Sequence, residues 1–274
     1  MLNCTHKHVL LILLIPASIL WGQNTYVPDD NFEQALIDLG YDDTLDDYVL
    51  TANISGVTNL NIGENDHQIS DLTGIEDFTA LNHLNCSYNQ LTSLDVSANT
   101  ALTILECGNN PLTSLDVSMR PDLTHLNCRN TQLTSLDLSN NTALETLYFE
   151  NNEFTSLDVS ANTSLTGLAC SSNQLTSLDV SSNTALELLY ANHNDLTSLD
   201  LSNNTALIRL YCQNNQLIHL NMKNGVTDQL LTFEAFDNPL DCIEVNEEDI
   251  AWATENWTYE NGNIDEGVEF SVVC

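Results

Sequence analysis

The residues of this chain that could bind an ion recur at a constant spacing. One aspartate appears every 21 residues in the middle of the sequence, at Asp95, Asp116, Asp137, Asp158, Asp179 and Asp200. Carboxylate oxygens are ligands for Ca²⁺, so a row of them could hold calcium between successive repeats. Aspartate side chains also accept hydrogen bonds within turns, and serines and threonines lie nearby. We therefore favour turn formation over a calcium site for this aspartate row, and expect no other cofactor.

The cysteines could form disulfides or bind zinc. Five of them recur at one position of different repeats: Cys86, Cys107, Cys128, Cys170 and Cys212. Side chains on adjacent parallel strands would be about 4.8 Å apart, slightly too far for a disulfide, and a row of thiols is not a tetrahedral zinc site. We therefore predict buried free thiols that pack as small apolar residues. Cys242 and Cys274 lie outside the repeat, and we predict that they form a disulfide.

Charge and missing motifs exclude several functional classes. The chain contains 39 Asp and Glu residues but only 5 Lys and Arg residues, giving a net charge of −34. Such a chain repels nucleic acid and anionic lipid. The sequence contains no Gly-x-Ser-x-Gly, His-Glu-x-x-His or Gly-x-x-x-x-Gly-Lys-Ser/Thr motif, and these are signatures of common hydrolase, metalloprotease and nucleotide-binding sites. We therefore expect a protein that is not an enzyme.

The same spacing governs the apolar residues that must position these groups. Leucines recur every 21 residues, at Leu81, Leu102, Leu123, Leu144, Leu165, Leu186 and Leu207. A fixed period of this length indicates stacked units, each too small to bury its own apolar face. Apolar and polar residues alternate after each leucine, which predicts a short strand and hence one parallel sheet. The return path is too short for a long helix and should be extended chain with tight turns or single 3₁₀ turns.

An asparagine follows nearly every predicted strand: Asn89, Asn110, Asn152, Asn173, Asn194, Asn215 and Asn238. Its side-chain amide can donate to and accept from the backbone of neighbouring repeats. Because a buried unpaired backbone group costs about 1–3 kcal/mol, we expect this asparagine ladder to stabilise the stack. Thr131 takes the same position in one repeat, and we expect a weak point there.

The repeated phrase Leu-x-x-Leu-x-Cys-x-x-Asn-x-Leu resembles the core motif of leucine-rich repeats. The segment Ile69-Ser-Asp-Leu72-Thr-Gly-Ile75 is similar to internalin-type repeats, and the form Leu-Thr-Ser-Leu-Asp-Val resembles secreted and surface leucine-rich repeat proteins of Bacteroidetes-type bacteria. The resemblance implies a solenoid of the α/β horseshoe class that is mostly β. Its concave side would be a parallel sheet and its convex side extended chain with short 3₁₀ turns. A small helical N-terminal cap and a disulfide-closed C-terminal cap would cover its ends.

The resemblance also implies that a protein, or sometimes a glycan, binds on the concave sheet. The third, fifth, seventh and eighth positions of each repeat should face that side. Our candidate ligand-binding residues at these positions are His125, Arg129, Tyr148, Tyr190, His193, Arg209, Tyr211 and Phe236. Tyrosine and arginine are enriched at interface hot spots, although tyrosine is also a good strand former.

These residues lead us to predict a monomeric, non-catalytic module that recognises a protein partner, in adhesion or another surface interaction. Two alternatives remain open. One is a carbohydrate-binding module in which Tyr148, Tyr190 and Tyr211 stack on sugar rings. The other is a structural component of an extracellular matrix or cell surface, stiffened by the aspartate row and cations.

The first 22 residues are predicted to be a secretory signal peptide cleaved after Gly22. Lys7 precedes an apolar run from Val9 to Leu20, which is shorter than the roughly 20 apolar residues of a membrane span. An uncleaved anchor is the alternative. We expect a secreted or surface protein that is not inserted in the membrane, because no later stretch is apolar enough to cross a bilayer. Many similar proteins carry a C-terminal sorting domain that this chain lacks, so the sequence leaves attachment to the cell surface open.

The remaining chain is predicted to form three parts. Residues 23–56 should be the N-terminal cap, 57–245 the repeats, and 246–274 the C-terminal cap. In the first cap, Asp30 is expected to cap the first turn of a helix and Glu33 to bond back to it, as in a capping box. In the second, a short helix should bring Trp252 and Trp257 over the last repeat.

Overall fold

The computed structural model describes residues 23–63 and 67–274, so the predicted signal peptide lies outside the described residues. Fifteen described strands each contain three residues. They are β1 (Asn24–Tyr26), β2 (Tyr48–Leu50), β3 (Asn59–Asn61), β4 (His83–Asn85), β5 (Ile104–Glu106), β6 (His125–Asn127), β7 (Thr146–Tyr148), β8 (Gly167–Ala169), β9 (Leu188–Tyr190), β10 (Ser198–Asp200), β11 (Arg209–Tyr211), β12 (His219–Asn221), β13 (Thr232–Glu234), β14 (Cys242–Glu244) and β15 (Glu269–Ser271).

The helices are short and lie towards the two ends of the chain. They are α1 (Asp30–Asp38), α2 (Thr51–Ile54) and α3 (Ile250–Asn256), with 3₁₀ turns at Ile75–Asp77, Thr227–Gln229 and Glu247–Asp249. Among the described helices, none is long and apolar enough to span a bilayer.

Nine strands form one parallel sheet, in the order β3, β4, β5, β6, β7, β8, β9, β11 and β13. We call it the concave sheet. Its register advances by one repeat at each step, so that His83 pairs with Ile104 and Leu188 pairs with Arg209. The molecule is therefore the predicted solenoid, with one strand of each repeat hydrogen-bonded to the equivalent strand of the next.

The alternation of apolar and polar residues decides which way each strand faces. In β4 the middle residue, Leu84, is fully buried, while His83 and Asn85 on either side are partly exposed. Most strands of the concave sheet follow the same pattern, and their middle residues join one continuous hydrophobic core. Burying one such leucine contributes about 1.5–3 kcal/mol, so the stack is stabilised along its whole length.

The predicted asparagine ladder is confirmed. Asn173 Nδ2 lies 3.1 Å from the carbonyl oxygens of Phe149, in the previous repeat, and Cys170, in its own. Its Oδ1 accepts from the backbone amide of Phe154 at 3.1 Å. At the exceptional position, the Thr131 hydroxyl lies 3.1 Å from Cys128 O and 2.5 Å from Asn152 Oδ1. Threonine therefore keeps contacts within its own repeat and to the next, but makes none to the preceding one.

A second asparagine ladder lies on the return path and was missed in the sequence. Its members are fully buried: Asn99, Asn141, Asn162, Asn183 and Asn204. In each, Nδ2 donates to two backbone carbonyl groups of the preceding repeat, as Asn162 does to Leu138 at 3.1 Å and Asn141 at 2.8 Å. Arg120 takes this position in one repeat, where it is also buried and its guanidinium donates to the carbonyl oxygen of Ser97.

The return path is extended chain with tight turns, which is one of the two forms that we predicted. Within the described residues, 3₁₀ turns occur before Leu81 and after Leu207, outside the regular repeats between them. The regular repeats instead use single hydrogen-bonded turns, as from Asn99 N to Val96 O at 3.0 Å. Near the C-terminal end, β10, β12, β14 and β15 form a second parallel sheet on this side. The buried asparagines donate to carbonyl groups that also accept a backbone amide of their own turn, as Leu138 O does from Asn141 N at 3.0 Å.

Helix α1 spans Asp30–Asp38, so its N-cap lies one residue earlier than predicted. Asp29, not Asp30, is the N-cap, and its Oδ1 accepts from the backbone amides of Asn31 and Phe32 at 2.9 and 3.0 Å. Asp29 Oδ2 accepts from Ser70 of the first repeat, which ties the cap to the solenoid. Partial burial acts to raise the pKa of Asp29, but these hydrogen bonds lower it below its ordinary value. The predicted capping box is wrong. Glu33 Oε1 instead accepts hydrogen bonds from the backbone amides of Asp46 and Tyr48, in another segment of the chain.

The C-terminal cap closes the other end, as predicted. Trp257 stacks on Phe233 of the last concave strand, with ring centroids 3.9 Å apart, and Trp252 packs edge-on against Trp257. The predicted disulfide joins Cys242 to Cys274, with the Cα atoms 5.8 Å apart. Strand β15, which precedes Cys274, pairs with β14. The disulfide therefore connects the last strand to its neighbour.

One residue of each repeat has a left-handed backbone conformation, at the position before the first asparagine ladder. Four of these eight residues are Asn, which tolerates positive φ, but Tyr88 has φ 59° and is an exposed bulky residue. We expect Tyr88→Asn to raise the free energy of unfolding by about 1 kcal/mol, because it relieves this backbone strain. Urea unfolding checks the change, and Tyr259→Asn, at an exposed tyrosine with an ordinary backbone, should produce no comparable gain.

Candidate functional site

The aspartate row forms regular turns on the surface. In each repeat Asp Oδ1 accepts from the backbone amide of the serine two residues later, at 2.8 Å in Asp95 and 3.0 Å in Asp137. These bonds lower the pKa of Asp95, Asp137 and Asp158. The pKa of Asp200 is lowered as well, although burial acts in the opposite direction. The bonds are those that we expected for turn formation, and a calcium role for the row stays a prediction.

The lowered pKa values predict a loss of stability in acid. The folded-state pKa of each aspartate lies below its ordinary value of 3.8, so its contribution is fully present above that pH. The contribution is lost as the pH falls through the folded-state pKa. We expect Asp137→Asn/Asp158→Asn to flatten the fall in unfolding free energy below pH 3.8. Urea unfolding between about pH 7 and pH 2 measures the slope, which an unchanged profile in the variant would contradict.

The five repeat cysteines are free and buried, as predicted. Burial raises the pKa of the Cys86 thiol to about 12. It also raises the pKa of Cys107 and Cys128, which occupy the next two repeats. Because the thiolate is the reactive form, these cysteines act as core residues and not as nucleophiles.

Two of the candidate tyrosines form one flat aromatic surface on the concave sheet. Tyr190 and Tyr211 occupy equivalent positions of the adjacent strands β9 and β11. Their ring centroids are 4.7 Å apart and their planes differ by 8°, so the rings are stacked. Arg209 lies two residues before Tyr211 on the same strand and so faces the same side. The structure thus brings together three of the residues selected from the sequence.

Tyr148 lies further along the sheet, separated from the stacked pair by a strand of small residues. The register places Ala169 of β8 between Tyr148 and Tyr190. Gly167 and Ala169 are buried beneath the neighbouring side chains. Strands β7 and β9 are about 9.6 Å apart, so one planar group between the two tyrosines would lie about 4.8 Å from each. We call this feature the β8 slot.

Both arginines selected from the sequence carry unpaired charges. Arg120 is buried and Lys223 forms an ion pair with Glu244. Arg129 and Arg209 are partly exposed and make no ion pair within 4.0 Å to any carboxylate of the described residues. In a chain of net charge −34, the partly exposed cations that lack an ion pair in the described part of the protein therefore lie on the candidate surface.

The next repeat places an acidic group beside Arg129. Glu150 occupies the position equivalent to Arg129, and its Oε2 is buried without a hydrogen-bond partner among the described residues. Burial raises the pKa of Glu150, while the charge of Arg129 lowers it by a smaller amount. A ligand that donates a hydrogen bond to Glu150 Oε2 would supply the partner that this buried oxygen lacks.

The remaining candidates lie away from the stacked pair. His125 begins β6, and its Nδ1 is 2.8 Å from Thr124 Oγ1. His193 is exposed and Phe236 partly exposed, each just beyond the end of a concave strand. His193 also occupies the left-handed position of its repeat, with φ 54°. These three residues extend the candidate surface, but no described hydrogen bond or aromatic contact joins them to Tyr190 or Tyr211.

A depression in the first half of the concave sheet was not singled out from the sequence. It has a volume of about 310 Å³ and is lined by His83, Ile104, Glu106, His125, Asn127 and Tyr148, among others. Within it, His83 Nε2 lies 3.3 Å from Glu106 Oε1. Tyr148 borders both this depression and the β8 slot. These residues occupy the positions of the repeats that were predicted to face the concave side, so the period could have identified them. The choice of tyrosine and arginine as candidate residues instead favoured the second half of the concave sheet.

Comparison with known proteins identifies similar repeats in internalins. No family model matches the chain. A segment of 77 residues, 28% of this chain, is 39% identical to internalin J of Listeria monocytogenes serotype 4b, of which the match spans only 8%. The solved functional domain of that protein, described as including a cysteine ladder, is 35% identical with a TM-score of 0.66, over 82% of this chain and 57% of that one.

A further solved structure shares the fold alone. It is an internalin, InlF, from the same organism, at 18% identity and a TM-score of 0.63, covering 90% of this chain and 92% of that chain. The motif and the parallel solenoid define the leucine-rich repeat fold, and the repeats are similar to those of internalins. The chain spans less than two thirds of the internalin J domain that it matches.

Proposed function

We propose that this chain is an exported, non-catalytic recognition protein that binds a protein partner on its concave sheet, in adhesion or another surface interaction. The observation that carries the proposal is the stacked pair Tyr190 and Tyr211 beside the unpaired Arg209. A flat, pre-ordered aromatic surface next to a cation is the composition typical of interface hot spots. The resemblance of the repeats to secreted and surface proteins of Bacteroidetes-type bacteria, together with the predicted signal peptide, supports export and a bacterial origin.

The charges indicate the chemistry of the partner. Arg129 and Arg209 are partly exposed and have no ion pair among the described residues, so an acidic side chain of the partner would find its counter-charge on the concave sheet. The rest of the highly acidic surface would repel the same partner, which favours docking in this orientation. The β8 slot between Tyr148 and Tyr190 would take a planar or narrow side chain next to that contact.

The test is capture on an array of secreted and surface proteins, with a glycan array beside it. We expect the native protein to capture at least one protein, and both Tyr190→Ala/Tyr211→Ala and Ala169→Leu to weaken that binding by about 2 kcal/mol or more. The second variant fills the β8 slot without removing any tyrosine. Tyr259→Ala, at an exposed tyrosine of the C-terminal cap, is the matched control and should bind normally.

The other outcomes separate the alternatives. Capture of glycans alone, lost in the tyrosine variants, would replace the proposal by carbohydrate binding. If the protein binds nothing on either array, the result would favour a structural role in a matrix or surface layer. Protein capture that survives the two concave variants would contradict the placement of the binding surface.

A further inference from the structure

Three carboxylates converge in the N-terminal cap, far from the row of aspartates in the repeats. Asp30 and Glu33 belong to the first turn of α1, and Asp47 immediately precedes β2. One oxygen of each lies within 4.8 Å of the others. No other set of three His, Cys, Asp or Glu residues in the described part of the chain is grouped this closely. The cluster joins two segments that are separated along the chain.

Glu33 is the unusual member of this cluster because it is completely buried. Its Oε1 accepts from the backbone amides of Asp46 and Tyr48 at 2.9 and 3.0 Å. Its Oε2 is buried as well and has no hydrogen-bond partner among the described residues. A buried carboxylate oxygen without a partner is costly, so this oxygen requires a ligand or a counter-charge.

Local structure explains only part of the cluster. Acidic residues in the first turn of a helix are favoured by the helix dipole, which accounts for Asp30 and for the presence of Glu33. It does not account for the unpaired Glu33 Oε2 or for Asp47, which lies outside the helix. Asp42 is a further carboxyl group beside this cluster. Burial and the charges of Glu33 and Asp46 raise its pKa. The cap therefore concentrates negative charge around one buried oxygen.

We propose that Asp30, Glu33 and Asp47 bind a divalent cation, and that the cation is Ca²⁺. Calcium takes carboxylate oxygens at about 2.3–2.6 Å in flexible geometry, so two oxygens on opposite sides of the ion lie about 4.8 Å apart. Magnesium requires shorter distances of about 2.0–2.1 Å and near-ideal octahedral geometry, which an irregular cluster on two segments satisfies less well. Glu33 Oε2 supplies the buried ligand, and the exposed Asp30 and Asp47 complete the site from the solvent side.

The cation would strengthen the cover over the first repeat. It connects α1 to the segment that leads into β2, and the adjacent Asp29 already joins α1 to Ser70 and Asp71 of the solenoid. Binding to the folded cap raises its stability by mass action. The site is thus structural, and its loss would leave the concave sheet unchanged.

The test is titration of the purified protein with CaCl₂ and, separately, MgCl₂, followed by calorimetry and by thermal unfolding with and without EDTA. We expect Ca²⁺ to bind and to raise the melting temperature, and Mg²⁺ to do so less. Asp47→Asn removes one ligand charge at an exposed residue whose φ of 67° asparagine tolerates. It should weaken Ca²⁺ binding about ten-fold or more. Glu33→Gln keeps an acceptor for Asp46 and Tyr48 and should abolish the thermal shift.

The control is Asp137→Asn/Asp158→Asn, which removes two carboxylates from the aspartate row. This variant should bind Ca²⁺ as the native protein does. Loss of binding in this variant, with normal binding in Asp47→Asn, would overturn the proposal and place calcium in the row instead. Absence of both heat and thermal shift in the native protein would also overturn it.

Discussion

Replacing Asn173 by threonine should lower the free energy of unfolding by about 2–4 kcal/mol. Threonine can keep a bond to Cys170 O, as Thr131 does to Cys128 O, but it cannot also reach Phe149 O in the preceding repeat. The backbone amide of Phe154 would lose its acceptor in the core. Urea unfolding measures the change. Asn140→Thr, at an exposed asparagine, is the matched control, and an equal loss there would contradict the role of the ladder.

The reverse substitution tests the weak point that the sequence indicates. Asn at position 131 could donate to Cys107 O in the preceding repeat and accept from Leu112 N, in the geometry that Asn110 uses with Cys86 O and Leu91 N. We expect Thr131→Asn to raise the free energy of unfolding by about 1 kcal/mol. The gain is modest because Leu112 N already bonds Asn110 O at 2.8 Å. A loss of stability would mean that the Thr131 contacts to Cys128 and Asn152 are the better solution.

Removing the Cys242–Cys274 disulfide should cost about 3.5–4 kcal/mol, because the bond closes a loop that is otherwise free in the unfolded chain. Cys242→Ser/Cys274→Ser should therefore melt at a lower temperature than the native protein. The contacts of Trp257 with Phe233 and the pairing of β15 with β14 remain in the variant. We expect the solenoid to persist while its C-terminal end opens first.

Two controls isolate the disulfide from the other thiols. A reducing agent should lower the melting temperature of the native protein and leave that of the double variant unchanged. Under native conditions, the five buried repeat cysteines should resist alkylation, since burial raises their pKa and excludes the reagent. An equal effect of reduction on both proteins would show that the Cys242–Cys274 bond is not the source of the stability.

The repeat architecture could be predicted because one short phrase specifies both the strand and its hydrogen bonds. Leu84 and Cys86 alternate with polar residues, and Asn89 follows at the position where the backbone needs a donor. The return path was less predictable. Asn99 recurs as regularly as Asn89, but a buried role for it depends on how the chain turns, which the alternation of apolar residues does not describe. The same holds for Arg120, a charged residue in a buried position.

The residues next to the first helix did not decide which of two aspartates is its N-cap. Asp29 and Asp30 are both good N-caps, and the pattern of Glu33 three residues after Asp30 favoured the second. The structure selects Asp29 because its other oxygen binds Ser70, forty-one residues away. Glu33 in turn accepts from Asp46 and Tyr48. Contacts between distant segments overrule a capping pattern read from adjacent residues.

The candidate surface could be predicted by position but not by arrangement. The period assigned Tyr148, Tyr190, Arg209 and Tyr211 to one side of the sheet, where the structure has them. The stacking of Tyr190 on Tyr211, and the slot that Gly167 and Ala169 leave open, depend on side-chain geometry and on neighbouring strands. The depression around His83 and Glu106 likewise depends on which side chains leave space between them.

The second sheet on the return side gives the molecule an uneven resistance to bending. From β10 onward, hydrogen-bonded strands run along both walls of the solenoid, whereas among the described residues before β10 they run along the concave wall alone. Backbone hydrogen bonds on two opposite walls oppose any widening of the angle between repeats. Under a pulling or twisting load, the segment up to β9 should flex while the segment carrying Arg209 and Tyr211 keeps its shape. A partner bound at this stiffer end would therefore be little affected when a load deforms the rest of the solenoid.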